Sequence, residues 1–212
     1  MKKFELTTDF IIFCGIKLFR IRALIEFSDV KAGEVGGYIE KEKNLSQLGE
    51  AWVSGNAKVF GNALVSGNTW ISGNATVSGN AEVSDNAWVS DNAWVSDNAW
   101  VSDKVWIFDN ATVSGNAEVF GNTWISDNAE VSDNAEVSGD ADYTTIKGFG
   151  KICRTTTFFR EKDRIAVRCG CFYGGLDDFR EKVKETYKDN KKGKEYLMIA
   201  DLMEYHFKKE EE

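Results

Sequence analysis

Proline is absent from this sequence and histidine occurs once, as His206. Without proline every backbone amide can donate a hydrogen bond, which suits a long, uninterrupted β ladder. The stretch 51–142 holds no histidine at all, so neither a histidine general base nor a histidine zinc site can be built on it. Cysteines are few, Cys14, Cys153, Cys169 and Cys171, and too scattered for a secreted disulfide framework. No apolar run approaches the roughly 20 residues of a membrane span. The opening Met1-Lys-Lys-Phe-Glu-Leu-Thr-Thr-Asp9 puts acids where a signal peptide wants none. These absences predict a cytoplasmic chain with no membrane contact. Positive charge is scarce in one region only. Residues 51–142 carry two basic side chains, Lys58 and Lys104, against thirteen acidic ones, a net of −11 within an overall −8. Such a field favours a cationic partner and disfavours direct binding of nucleic acid by this stretch.

What fills that acidic stretch is a repeat. From Ala51 to Asp140 the chain runs through fifteen consecutive hexapeptides of the form A-x-V-S-[GD]-N, such as Ala51-Trp-Val-Ser-Gly-Asn56 and Ala93-Trp-Val-Ser-Asp-Asn98. In an extended unit Ala and Val share one face while x and Ser share the other. Gly-Asn or Asp-Asn then turns the chain, because these residues accept left-handed backbone angles. Strands so short are not stable alone and must stack. Irregularities give the coil length. Trp52, Trp70, Trp88, Trp106 and Trp124 recur every eighteen residues, and the inward pairs Thr69/Ile71, Val105/Ile107 and Thr123/Ile125 fall on the same units. Three hexapeptides per coil and a triangular section follow.

With an aliphatic residue followed four later by a small one, as Val53 by Ala57, the repeat resembles the hexapeptide-repeat, left-handed parallel β-helix proteins. That resemblance implies a mainly β fold of about six coils. It leaves function open, since the fold carries acyltransferases, zinc carbonic anhydrases, ice-binding proteins and inert stalks. The acyltransferases use a histidine near the coils and the carbonic anhydrases three, which this repeat lacks. Ice binding would want flat Thr-x-Thr ranks, where this chain has Trp, Glu, Thr and Ser. No catalytic residue, cofactor or metal is therefore expected.

The flanks divide the chain into 1–32, an N-terminal β-hairpin cap turning at Cys14-Gly15; 33–142, the β-helix; and 143–212, a C-terminal ββαα domain. Val35, Ile39 and Leu45 lie eighteen residues before Val53, Ala57 and Ala63, which predicts a degenerate first coil at 33–50 with Gly36-Gly37 as its corner. A second hairpin is predicted over Ile152–Arg160 and Arg164–Phe172. One helix follows from Leu176 to about Tyr187, and another from about Gly193 to Lys209. The Cys-Gly-Cys-Phe and Gly-Gly-Leu-Asp-Asp-Phe runs, with Lys31-Ala-Gly-Glu-Val-Gly-Gly-Tyr-Ile39, are similar to segments of phage and prophage proteins that carry Gly-Asn-Ala-x-Val repeats. The hairpin turn at 162–163 would bring Cys153 near Cys171, with Cys169 on the same face. No fourth zinc ligand is evident, and reduced core cysteines are expected.

Three residue sets are candidate binding surfaces. The outward Trp column, extended by Phe108, is a patch too large to stay bare. Either the C-terminal domain covers it or it forms an interface, and Trp94 and Trp100, which put indoles on the other two walls, favour a homo-oligomer. Asp91, Asp109 and Asp127 stack at one corner, and Glu82, Glu118, Glu130 and Glu136 charge the walls. They serve solubility, or imitate a nucleic-acid backbone. Arg154, Arg160, Arg164 and Arg168 on the second hairpin are candidates for phosphate. The expected function is a non-enzymatic, phage-derived binding protein whose acidic rod occupies a basic surface of a host protein. Nucleotide or small-molecule binding by the C-terminal domain and a purely structural oligomeric spacer are the alternatives.

Overall fold

A computed structural model describes residues 2–208. Each hexapeptide becomes one two-residue strand, so that β4–β18 run from Trp52–Val53 to Glu136–Val137. Pairing is parallel between residues eighteen apart: Trp52 with Trp70, Lys58 with Thr76, Leu64 with Glu82. The chain thus winds a parallel β-solenoid with three walls. The first carries the Trp column. The second runs Lys58, Thr76, Trp94, Thr112, Glu130, and the third Leu64, Glu82, Trp100, Glu118, Glu136. Inward Ala, Val and Ile side chains are buried throughout, and the isoleucines Ile71, Ile107 and Ile125 all stand on the first wall. The inward Thr69 and Thr123 are buried without an orphan hydroxyl, because each donates to a carbonyl three residues back, Ser66 O at 2.7 Å and Phe120 O at 2.9 Å.

Corners need a left-handed residue at the fifth place of the unit. Gly55 and Gly73 supply it with φ of +63° and +64°, and Asp91, Asp109 and Asp127 hold the same column at +57°, +58° and +60°. Asp tolerates this region better than most side chains. It also gains a partner there, since Asp109 Oδ2 accepts from Asp127 N at 3.2 Å, one coil on. The sixth residue builds a ladder that its turn propensity does not announce. Asn56, Asn74, Asn92 and Asn110 hand Nδ2 to the next Oδ1 at 3.2–3.4 Å. Asn62, Asn80, Asn98, Asn116 and Asn134 do the same at another corner. Each amide inside a ladder both donates and accepts, and the phase of the coils is locked at their edges.

At the N-terminal end, β1 (Phe4–Phe13) and β2 (Ile16–Ala23) form the expected hairpin, and β2 pairs antiparallel with β3 (Val35–Ile39). The hairpin therefore prolongs the second wall. The first coil departs from expectation. Tyr38 pairs with Lys58, Ile39 with Val59 and Leu45 with Val65, an offset of twenty residues, where eighteen was expected. The two extra residues lie between Leu45 and Val53, in a corner that Gln47 staples to the hairpin: its Oε1 accepts from Lys3 N at 2.8 Å and its Nε2 donates to Phe4 O at 3.2 Å. Gly36-Gly37 is accordingly no corner. Both sit inside β3 because the next coil presses on them; a Cβ at Gly37 would come within 2.7 Å of Ala57 O. Val35, expected inward, is exposed.

The C-terminal domain has four strands where two were expected. β19 (Tyr143–Ile146), β20 (Thr156–Arg160), β21 (Ile165–Cys169) and β22 (Phe172–Gly175) form an antiparallel sheet in sequence order. α1 (Leu176–Tyr187) follows directly, and α2 (Lys191–His206) is capped by Asn190, whose side chain accepts from Gly193 N at 3.0 Å. Lys209, the expected end of α2, lies outside the described residues. The sheet is buried on both faces. Phe159 and Ala166 join the solenoid core, while Phe158 and Val167 join the helices. The domain thus closes the end of the solenoid, and it supplies acceptors that a further coil would have given: Glu130 N donates to Thr157 Oγ1 at 3.0 Å.

The opposite end is closed partly by a lysine. Lys3 is almost fully buried, its Nζ donates to Ala51 O at 2.8 Å, and it stands 5.0 Å from the Phe27 ring centre. Burial pulls its pKa down to about 8, with Glu50 opposing. Between that value and 10.5 the unfolded chain binds more protons than the folded one, so stability at this site rises with pH. Wild type should therefore gain on Lys3→Met by up to about 3 kcal/mol between pH 7 and 10.5. Chemical denaturation of both proteins across that range checks it, and a constant difference would show that Lys3 is not held in a desolvated, charged form.

Candidate partner-binding surface

The Trp column is built by the ladder itself, because parallel pairing in register puts Trp70, Trp88, Trp106 and Trp124 over one another. Ring centres are 6.2, 5.2 and 5.2 Å apart and the planes approach parallel toward the C-terminal end, from 38° to 7°. Stacking uses the faces of the rings. Their edges stay open: Trp88 and Trp106 are each 39% exposed and Trp124 49%. Coverage by the C-terminal domain is therefore overturned, since that domain sits on the end of the rod and not along this wall. Among the described residues it touches the column only at its last member, where Tyr143 Oη donates to Trp124 O at 2.5 Å. Trp52 is the exception at the other end, fully buried against Phe27.

Beside the indoles runs a column of serines, Ser54, Ser72, Ser90 and Ser126, interrupted once by Phe108. Ser72 and Ser90 leave room, and Phe108, at the same place in its unit, fills it and meets Trp124 edge-on with ring centres 6.1 Å apart. The result is a cleft of about 330 Å³ lined by Ser72, Ser90, Trp88, Trp106, Phe108 and the corner residue Asp91. Asp91 is oriented by Ser90 Oγ, which donates to its Oδ2 at 2.9 Å. Phe108 thus adds to the Trp column, as expected, by meeting Trp124, and it also forms a wall of the cleft. The departure from Ser to Phe in an otherwise regular column is the signal that marks it. Chemically the cleft offers apolar ring edges with the Asp91 carboxylate beside them, a setting for a long cationic side chain whose stem packs on the rings while its head meets the carboxylate.

The remaining acids are divided. Asp109 and Asp127 continue the Asp91 corner. Glu82, Glu118 and Glu136 are exposed on the third wall, with Trp100 between Glu82 and Glu118. Glu130 is different, because Arg168 reaches it at 3.4 Å and Asp133 at 3.7 Å, tying the C-terminal domain to the rod. Trp94 and Trp100 are 41% and 43% exposed on their separate walls. Trp94 Nε1 donates to Ser78 Oγ at 3.3 Å.

The four arginines of the second hairpin do not converge. Arg160 pairs with Asp142 at 2.9 Å and also donates to Phe207 O, and Arg164 pairs with Glu161 at 2.6 Å. Burial opposes ionisation of Asp142, but hydrogen bonds from Ser138 and Arg160 outweigh it and hold the carboxyl below its ordinary pKa. Only Arg154 is left without such a partner among the described residues. The cysteines are corrected as well. Cys153 and Cys171 are exposed, not core residues, because the first lies in the loop before β20 and the second in the turn between β21 and β22, and Cys14 is exposed in the N-terminal hairpin turn. Among the described residues no three His, Cys, Asp or Glu side chains converge as metal ligands, and no helix is long and apolar enough to cross a membrane.

The sequence model of the YdcK Beta solenoid repeat family matches residues 70–85, less than one coil of the rod. No curated protein matches the chain. The chain is a β-solenoid repeat protein by both the match and the coils described above.

Proposed function

We propose that the protein is a non-enzymatic binding protein whose acidic rod receives a basic surface of another protein, with the cleft on the Trp wall as its anchor point. The cleft at Trp88, Trp106, Phe108 and Asp91 carries this reading, because it sets apolar ring edges beside a carboxylate, one place that fits the stem and the charged head of a lysine or arginine side chain. Around it the rod's net −11 supplies long-range attraction for a cationic partner. The segments similar to phage and prophage proteins favour a host protein as that partner, met in the cytoplasm, and one that itself binds nucleic acid.

Titration with a nona-arginine peptide, followed by indole fluorescence, tests the anchor. Saturable binding is expected for wild type. Asp91→Asn or Trp106→Ala should weaken it by about 1 kcal/mol or more, the range for losing one charged hydrogen-bond partner or one packed aromatic anchor. A nona-glutamate peptide should not bind. Equal binding by both variants and wild type removes the cleft from the reading. The exposed Trp94 and Trp100 support a second reading, self-association. Light scattering of the free protein decides it: an oligomer that dissociates on Trp94→Glu with Trp100→Glu assigns those walls to a second copy of the chain, and a monomer excludes it.

A further inference from the structure

The C-terminal domain holds a second cleft, distinct from the rod and independent of the reading above. It lies between the sheet and the two helices and has a volume of about 300 Å³, at the small end of ligand pockets. Phe149, Phe172, Phe179, Tyr187 and Tyr196 line it. Tyr196 stays a neutral hydroxyl, as burial pushes its pKa up to about 12. The charged side chains that reach the lining are Lys151, Arg154 and Lys182, with no carboxylate among the lining residues. In a chain of net charge −8 that is an unusual local balance.

Lys182 is already paired with Glu185 at 2.7 Å. Arg154 is not paired among the described residues. The chain has seven arginines. Six direct the guanidinium at a carboxylate or a tyrosine: Arg20 at Tyr38, Arg22 at Glu5, Arg160 at Asp142, Arg164 at Glu161, Arg168 at Glu130 and Arg180 at Asp201. Arg154 alone has no such partner among the described residues. Gly170 makes room for this exposed side chain. Its guanidinium lies in the space a side chain at residue 170 would fill, where a Cβ would fall 1.6 Å from Nη1, and Gly170 itself has a φ of +62°. An exposed guanidinium with free donors beside an aromatic cleft suits a planar anion, which it can bind through two parallel N–H donors.

We infer that this cleft binds a small aromatic monoanion, a flat ring system carrying one carboxylate or sulfonate, with the rings among the phenylalanines and tyrosines and the anion on Arg154. The probe is 8-anilinonaphthalene-1-sulfonate, competed by 2-naphthoate. Cys171, exposed at the rim, and Cys169, half-buried in the lining, report on occupancy through their thiols. In a background with Cys14→Ala and Cys153→Ala, the probe should fluoresce with single-site saturation, and 2-naphthoate should displace it and slow thiol modification. The neutral 2-naphthylmethanol should compete at least roughly tenfold less well, and Arg154→Gln should weaken the probe by a similar factor, the usual loss for one charge-assisted contact. Trp106→Ala should leave probe binding unchanged, which separates this cleft from the Trp wall. Arg154→Gln that keeps its melting temperature and binds as tightly as wild type, competition by the neutral analogue equal to that by 2-naphthoate, or thiols that react equally fast with 2-naphthoate present each overturn the inference.

Discussion

Replacing Trp52 with alanine is expected to destabilise the fold by about 3–5 kcal/mol, while the same change at Trp88 or Trp106 should cost about 1 kcal/mol or less. All three residues occupy one column at eighteen-residue spacing and differ only in what lies outside the wall. Trp88 and Trp106 keep an exposed edge and lose chiefly a stacking contact. Trp52 is fully buried, with Phe27 at 5.5 Å between ring centres and Gly36 packed so closely that a Cβ there would come within 2.6 Å of its ring. Alanine leaves a cavity that the surrounding coil and hairpin cannot collapse to fill. One term works the other way. Trp52 Nε1 is buried without a hydrogen-bond partner among the described residues, which is itself unfavourable. Trp52→Phe removes that donor and leaves a smaller void, so it should cost much less than Trp52→Ala. Urea denaturation of the four variants checks the order. Similar losses at Trp52 and Trp88 would show that the hairpin does not seal the first coil.

That contrast also shows where the sequence is informative. The strict hexapeptide makes every inward position of 51–140 readable, because a period of two within the unit and of eighteen between coils leaves one arrangement that stacks both Ala/Val and Trp. The first coil is less readable. Ile39 and Leu45 are correctly inward, yet the register is off by two, since an even shift keeps every side chain on its face and the inserted residues carry no mark of their own. Gly36-Gly37 has the composition of a corner but the role of a close contact, and only the neighbouring coil distinguishes the two. At the C-terminal end the strands at Tyr143–Ile146 and Phe172–Gly175 are short and contain Thr-Thr and Gly-Gly, so their pairing is set by the sheet between them and not by local propensity. The arginines show the same limit for sites. Four basic residues on one hairpin suggest a phosphate site until Arg160 and Arg168 are seen to meet Asp142 and Glu130 of the preceding stretch, and Arg164 to meet Glu161 in the hairpin's own turn. Cys169 and Cys171, by contrast, lie at a cleft that no spacing rule marks.

Substituting Asp91, Asp109 and Asp127 together by asparagine should weaken binding of the basic partner roughly tenfold without harming the rod, if each exposed pair contributes about 0.2–1 kcal/mol. The three acids share one corner beside the Trp wall, and asparagine keeps both the left-handed backbone preference and a side-chain oxygen able to accept the hydrogen bond that Asp109 takes from Asp127 N. Three charges go and the shape stays. A partner drawn by the rod's field must bring its own cationic surface to this corner, so the same surface cannot also hold nucleic acid. Affinity should fall steeply with salt, because exposed charges are screened beyond a Debye length of about 8 Å at physiological ionic strength. The measurement is competition: a partner captured on the full chain is loaded with labelled nucleic acid, and wild type or the triple variant is added across a salt series. Wild type should release the label, and do so best at low salt, while the variant should need roughly ten times the concentration. Binding of wild type alongside the nucleic acid would end the idea that the rod imitates a nucleic-acid backbone, while leaving the aromatic cleft as an anchor. Equal competition by the variant would end the corner's part in it.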